Sequence, residues 1–335
     1  MINQGLRSQL SADLQAVRLV GHTMVWHDGK HTVDPKRRQG FKSNDPVGVA
    51  AQTKQLAFAG LDVLMFNWYG QGTYEDSCAK VYVAHLSGLS FMINIDGACV
   101  TSLASLRSQL AYIRSTYFPN PAYEKHNGKY VVTHFYKTGN QRAWFAAAET
   151  ENPDVTFVYD SNAMGHNQMG WVQIDLEANA DWWVRTYGLR NDGSLNIPCV
   201  AAGFNDLNSL TGYGVWGAKP ARIWPPAAPG PGPNRTTFDA FVAVINKYYN
   251  AGNRGLLPYL QIVTINDKDE GTDLFDRGFL AAEIKAPPTH AYHVEAWLDG
   301  QKLASVPVGA AQEATVRKVN ELGQVVASAT LELKP

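Results

Sequence analysis

Cysteine is scarce in this chain. Cys78, Cys99 and Cys199 are odd in number and far apart, with no Cys-x-x-Cys pair. Neither a disulfide framework nor a zinc ribbon is indicated, and the three read as small core residues. Charge bias is also missing: 29 Lys and Arg stand against 30 Asp and Glu, a formal net charge of -1. No long-range field draws such a chain to nucleic acid or to an anionic membrane. No run of 18 apolar residues occurs, and the first 19 residues hold no long apolar segment ahead of a small-residue cleavage site. The chain as given therefore reads as soluble and without an address, although a secreted protein lacking its leader would look the same. There is no Ser in a Gly-x-Ser-x-Gly elbow and no Cys with a nearby His signature, which leaves acyl-transfer chemistry without a nucleophile.

What is present is core material and aromatic surface. At 335 residues, 45% hydrophobic and 18% charged, the chain can bury a large core, as one large domain plus a small one. Nine Trp and fifteen Tyr exceed what a core requires and suit stacking against flat or sugar-like ligands. The plainer account of them is core filling.

Short β-rich runs alternate with helical patterns. Strands are predicted over 17–26, 61–68, 89–95, 130–135, 154–159, 170–174, 197–202 and 259–265. Leu103, Leu106, Leu110 and Ile113 recur on one helical face, as do Phe238, Phe241, Val242 and Ile245. Asp45-Pro46 and Thr101-Ser102 supply helix-start chemistry. Eight alternating units over about 250 residues fit an α/β fold, a closed (β/α)8 TIM barrel, better than an open sheet. The Pro-rich segment 225–233 reads as a long loop after the seventh strand. Beyond Pro287 alternating strands surround the turns Asp299-Gly300 and Leu322-Gly323. The expected division is a catalytic barrel over 1–285 and a C-terminal all-β sandwich over 286–335.

In such a barrel the loops leaving the C-terminal strand ends build the active site. The residues at those positions are His27 and Asp28, then Asn67, Trp68 and Tyr69, then Asn94 and Asp96, then His134 and Tyr136. Asp160, Asn162, Gln173, Asp175, Asn205 and Asp206 follow, and last come Asn266, Asp267 and Glu270. Carboxylates for proton transfer, amides for hydroxyls and rings for the apolar faces of pyranoses are the inventory of a sugar site.

The last strand carries the densest chemistry. QIVTI runs straight into NDKDEGT, and like charges so close repel unless water, a cation or a substrate compensates them. This segment resembles the strand-end signature of glycoside hydrolase families 71 and 99. Those are (β/α)8 enzymes that cut α-linked glucans or mannose-containing glycans, in which an Asn is followed by an acid and, three residues on, by a Glu before Gly-Thr or a similar pair. AGLDVLMFNWYG, NGKYVVTHFYK and PCVAAGFND look like further matching segments. The resemblance covers most of residues 20–280, and only the strand-eight motif is specific.

Carried across by position, Asp267 and Glu270 match the two acids. The first is Asp here, as in the Asn-Asp form of family 71, and Lys268 and Asp269 depart from the aromatic residues of family 99. A Lys at that point lowers the pKa of neighbouring acids and weakens a general acid. The resemblance implies a glycoside hydrolase acting on an α-linked polysaccharide or glycan, with Glu270 as general acid. Asp267 would activate water in an inverting reaction, or assist a substrate hydroxyl in a retaining one. Asn67, Trp68, Tyr69, Asp96, His134, Tyr136, Asn205, Asp206 and Asn266 would contact the carbohydrate substrate. No cofactor and no metal are expected, and oligomeric state is left open.

Each assignment has a plainer rival. Asp267 and Glu270 fit a hydrated acidic turn capping a helix, Trp68 and Tyr69 fit rim packing, and His134 and Tyr136 fit ordinary hydrogen-bonded wall residues. Gly212, Gly214 and Gly217 satisfy Gly-x-Gly-x-x-Gly but neither follow a strand directly nor open a helix. His22, His27, Asp28 and His31 form a possible metal cluster at the first strand, without a His-x-His pair. Two other classes of function stand beside the hydrolase: a non-catalytic carbohydrate-binding protein on the same scaffold, and a metal-dependent hydrolase or deacetylase using those histidines.

Overall fold

The computed structural model describes residues 17–28, 41–58, 60–135, 139–160, 169, 193–200, 204–205, 223–224, 258–266, 292–298, 301–308, 313–319 and 325–332. From the N-terminus, β1 (Arg18–Met24) leads to α1 (Pro46–Phe58), β2 (Val63–Trp68) to α2 (Tyr74–Ala84), and β3 (Ser90–Asp96) to α3 (Leu103–Thr116). A short β4 (Lys125–His126) turns into β5 (Lys129–Phe135), followed by α4 (Gly139–Glu151) and β6 (Val155–Tyr159). Farther on come β7 (Cys199–Val200), β8 (Phe204–Asn205), β9 (Ile223–Trp224) and β10 (Tyr259–Ile262).

The helices begin where their sequences provide caps. Ser102 accepts the Ser105 N–H, and Thr73 accepts the Asp76 N–H. Asp45 Oδ1 accepts the Val47 N–H at 3.0 Å, with Pro46 opening α1. The predicted stripe of α3 buries Leu106, Leu110 and Ile113 against the sheet, while Leu103 is only partly covered.

The sheet is mixed and mostly parallel. β7, β10, β1, β2, β3, β5 and β6 lie side by side in that order, all parallel, and β4 adds an antiparallel hairpin to β5. Met169 joins the two ends. Its N–H donates to Tyr159 O at 2.6 Å, and it bridges Ile197 in parallel sense, just before β7. Hydrogen bonding therefore runs around a complete circuit. Val20, Val63, Met65, Met92, Val131 and Met169 belong to one apolar cluster, drawn from successive strands inside this circuit. A larger cluster, including Leu64, Phe66, Phe91 and Ile93, lies between the strands and the helices. At the N-terminal end Glu124 accepts Arg18 at 2.8 Å and the Tyr259 hydroxyl at 2.7 Å, tying three segments of the circuit together.

Several expectations are adjusted. The sixth predicted strand, 170–174, lies outside the described residues, and Met169 alone marks its place. The eighth is regular only to Ile262, yet it stays beside β1, because Ile265 N–H donates to His22 O at 2.7 Å. The loop after the seventh strand contains an antiparallel ribbon, β8 with β9, that periodicity did not announce. Past residue 291, β11 (Tyr292–Leu298) pairs with β12 (Gln301–Val308), and β13 (Glu313–Val319) pairs with β14 (Val325–Glu332). These are two separate two-stranded sheets among the described residues. The alternating strands are present, whereas the turns Asp299-Gly300 and Leu322-Gly323 lie outside the described residues and a sandwich is not described. The boundary at 285, the helix of 238–245, the Pro-rich segment and the glycines of 212–217 lie outside the described residues. Among the described residues, no helix is long and apolar enough to cross a membrane.

Candidate active site

The C-terminal ends of β1, β2, β3, β5 and β10 meet over a floor of neutral polar side chains. Asn94 Nδ2 donates to Asn67 Oδ1 at 2.7 Å, and Thr133 Oγ1 donates to Asn94 Oδ1 at 2.8 Å. Asn67 Nδ2 in turn reaches the Tyr69 hydroxyl at 3.3 Å. On the other side Gln261 Nε2 faces His22 Nδ1, also at 3.3 Å. Burial lowers the His22 pKa to about 3, against the opposing hydrogen bond with Asn67, so the imidazole is neutral. Amides and a neutral ring can be buried together because each finds partners within the chain.

Above this floor stand Trp26 and Tyr69. Their ring centroids are 5.9 Å apart and tilted, and both side chains are partly exposed. Tyr69 starts a tight segment in which Gly70 has φ +112°, and a Cβ there would sit 3.0 Å from Cys99 Cβ. Only glycine suits that close approach in that conformation. Gln71 N–H donates to Gln109 of α3 at 3.0 Å, which holds the segment from the helix side.

Asn266 is fixed at both ends of its side chain. Oδ1 accepts the Met24 N–H at 2.7 Å, and Nδ2 donates to Met24 O at 2.9 Å, so the side chain pairs with β1 as a strand would. His27 Nε2 lies 2.8 Å from Asn266 O. Asn266 is thus 1% exposed, with both ends of its side chain bonded to Met24. It leads directly into Asp267. Asp96 likewise serves its own chain, with Oδ1 accepting the Ala98 N–H at 2.8 Å and capping the short 3-10 turn Gly97–Cys99.

Two of the expected contacts, Trp68 and His134, point away from the interior of the strand circuit. Trp68 alternates with Asn67, and because Asn67 faces the interior, Trp68 enters the layer under the helices. It is fully buried, stacks on Tyr112 and donates Nε1–H to Asp76. His134 alternates with Thr133 in the same way. Its ring stacks on Phe145 at 3.6 Å, its Nδ1 lies 2.9 Å from Ile95 O, and burial lowers its pKa to about 4. Both are wall residues. Tyr136, Asp206, Asp267 and Glu270 lie outside the described residues, and Asn205 is described only as a backbone member of β8.

Trp26 is a candidate rim residue that the sequence pattern alone did not single out. A signal existed, since Trp26 shares the parity of His22 and Met24. The proposed metal cluster does not assemble among the described residues: His22 is engaged with Gln261, His27 with Asn266 O, and no group of three or more ligand-type side chains could hold an ion. His31 lies outside the described residues.

No protein-family model matches the chain, and no curated protein matches it in sequence. Solved structures do match its fold. A GH99 endo-alpha-mannosidase from Bacteroides thetaiotaomicron superimposes with a TM-score of 0.55 at 16% identity, over 79% of this chain and 88% of that one. The structure of a GH99 endo-alpha-mannosidase from the same organism in complex with Bis-Tris-propane gives 0.55 at 17% identity, over 78% and 87%. The chain thus shares its fold with these structures. At such identity the likeness is one of architecture.

Proposed function

We propose that this chain is a glycoside hydrolase on a (β/α)8 barrel, cleaving an α-linked polysaccharide or glycan of the α-glucan or α-mannan type. The observation that supports it most is the placing, at one end of the strand circuit, of both the partly exposed Trp26–Tyr69 pair and the anchored Asn266. An aromatic pair takes the apolar face of a pyranose. The chain leaving Asn266 carries Asp267 and Glu270, which supply the two proton-transfer groups glycoside cleavage needs.

In this reading Glu270 protonates the leaving glycosidic oxygen, and Asp267 activates water or a substrate hydroxyl. Carboxyl separation distinguishes the outcomes, at roughly 5 to 5.5 Å for ordinary retention and 6.5 to 9.5 Å for inversion. Asn67 and Tyr69 address sugar hydroxyls, joined by Asp96, Tyr136, Asn205 and Asp206 where their loops reach the substrate. The segments β11 to β14 form an accessory β-domain. The test is a panel of α-glucans and α-mannans assayed for released reducing ends, with release expected from one class. Glycan binding without product moves the assignment to a carbohydrate-binding protein. Activity abolished by chelation and restored by metal moves it to a metallohydrolase.

A further inference from the structure

We infer that His27 is a positioning residue for the reaction, holding the peptide group through which the eighth strand hands the chain on to its acids. The inference rests on reading Asp267 as the proposed base. Its geometric basis is independent of that reading.

The contact fixes its own chemistry. Asn266 O has no proton to give, so at 2.8 Å the His27 Nε2 must carry the hydrogen and donate it. The carbonyl that receives it belongs to the peptide bond joining Asn266 to Asp267. His27 therefore holds the carbonyl that immediately precedes Asp267 in the chain.

The grip is built from both sides. His27 is 3% exposed, and its backbone is held by neighbours from two other segments. Its N–H donates to Ser43 Oγ at 3.2 Å, and its carbonyl accepts the Ser43 N–H at 2.7 Å and the Tyr74 hydroxyl at 2.8 Å. On the opposite side the Asn266 side chain is closed onto Met24 by two bonds. Met24 and His27 are three residues apart on one chain, so the Asn266 peptide is clasped between two points of the same strand end. A carboxylate that is to activate a nucleophile needs such fixity, because a displacement of about 1 Å can cost on the order of a hundredfold in rate.

The test uses the full chain and two substitutions. His27→Phe keeps a flat ring and removes the donor, whereas His27→Gln returns an N–H at similar reach. Ring 15N spectra of the wild type should show His27 protonated at Nε2. In His27→Phe, the 13C carbonyl resonance of Asn266 should move upfield as its hydrogen bond is lost, with the protein still folded. On whichever α-glucan or α-mannan the wild type cleaves, kcat should fall about a hundredfold with KM within about twofold, and His27→Gln should recover most of it. A purely structural role would instead lower thermal stability without this split. A ring protonated only at Nδ1, or an unchanged Asn266 carbonyl resonance in a folded His27→Phe protein, overturns the inference. Should His27→Phe not fold, the wild-type ring spectrum and His27→Gln decide. A wild type that cleaves no glycan removes the proposed function, while the ring spectrum and the carbonyl resonance still judge His27.

Discussion

Asp76 accepts the indole N–H of Trp68 at 3.0 Å, and this bond ties the end of β2 to the first turn of α2. The same carboxylate, 1% exposed, also accepts the Tyr117 hydroxyl at 2.6 Å, the Tyr112 hydroxyl at 2.7 Å, Lys80 Nζ at 2.9 Å and the Gly72 N–H at 3.2 Å. Burial by itself raises the pKa of Asp76. The bonds from Tyr117, Tyr112, Lys80 and Trp68 together outweigh burial, and the group titrates below its ordinary value.

Asp76→Asn should therefore destabilise the protein by about 3 kcal/mol, since a charged acceptor is lost while several buried donors remain. The sign of the pH effect follows from the lowered pKa. Stabilisation by Asp76 is fully present above the unfolded carboxyl value and disappears as pH falls through the folded one. Chemical denaturation at pH 7 and near pH 3 should show a gap between wild type and variant that narrows in acid. A gap independent of pH would contradict it.

His22 and His134 should behave as neutral rings throughout the physiological range, because burial holds them at about 3 and about 4. An unfolded imidazole takes up a proton near pH 6.5, whereas these two cannot while folded. Stability should thus decline as pH falls from about 6.5 toward 4. Ring NMR between pH 5 and 8 checks this directly, and a midpoint near 6.5 for either ring would refute it.

Glu270→Gln and Asp267→Asn should each lower turnover by at least about a hundredfold, the usual share of a general acid or base. Melting temperatures should barely move, and near-wild-type rates in both variants would remove these residues from the chemistry.

Trp26→Ala and Trp68→Ala should separate binding from stability. Trp26, partly exposed beside Tyr69, should weaken oligosaccharide binding by about tenfold, as the loss of one stacking face predicts, with little change in melting. Trp68, fully buried, should cost about 3 to 5 kcal/mol of stability. Calorimetric titration alongside thermal melts distinguishes them, and unchanged glycan affinity in Trp26→Ala would remove the platform.

The sequence made the order of strands legible because apolar β-rich runs were separated by good caps such as Ser102 and Asp45-Pro46. It did not disclose which side of each strand faced inward. Every residue of β2, Val63–Trp68, is buried, so alternation carries no polarity signal there and Asn67 cannot be told from Trp68 by pattern. That is why Trp68 and His134 read as rim residues. Trp26 escaped because the predicted first strand absorbed it, whereas β1 ends at Met24. The use of Asn266 as a clamp depends on Met24, 242 positions away, a separation at which local pattern is silent.

Glu124 and Asn266 act as rivets at opposite ends of one strand pair. Glu124 takes Arg18 at the start of β1 and the Tyr259 hydroxyl at the start of β10, and Asn266, just past β10, closes onto Met24 at the far end of β1. Two neighbouring strands fastened at both ends cannot slip by a residue, and a slip of one would turn every side chain to the opposite face. The register that delivers Trp26 and Asn266 to the same rim is thus held from foot to rim.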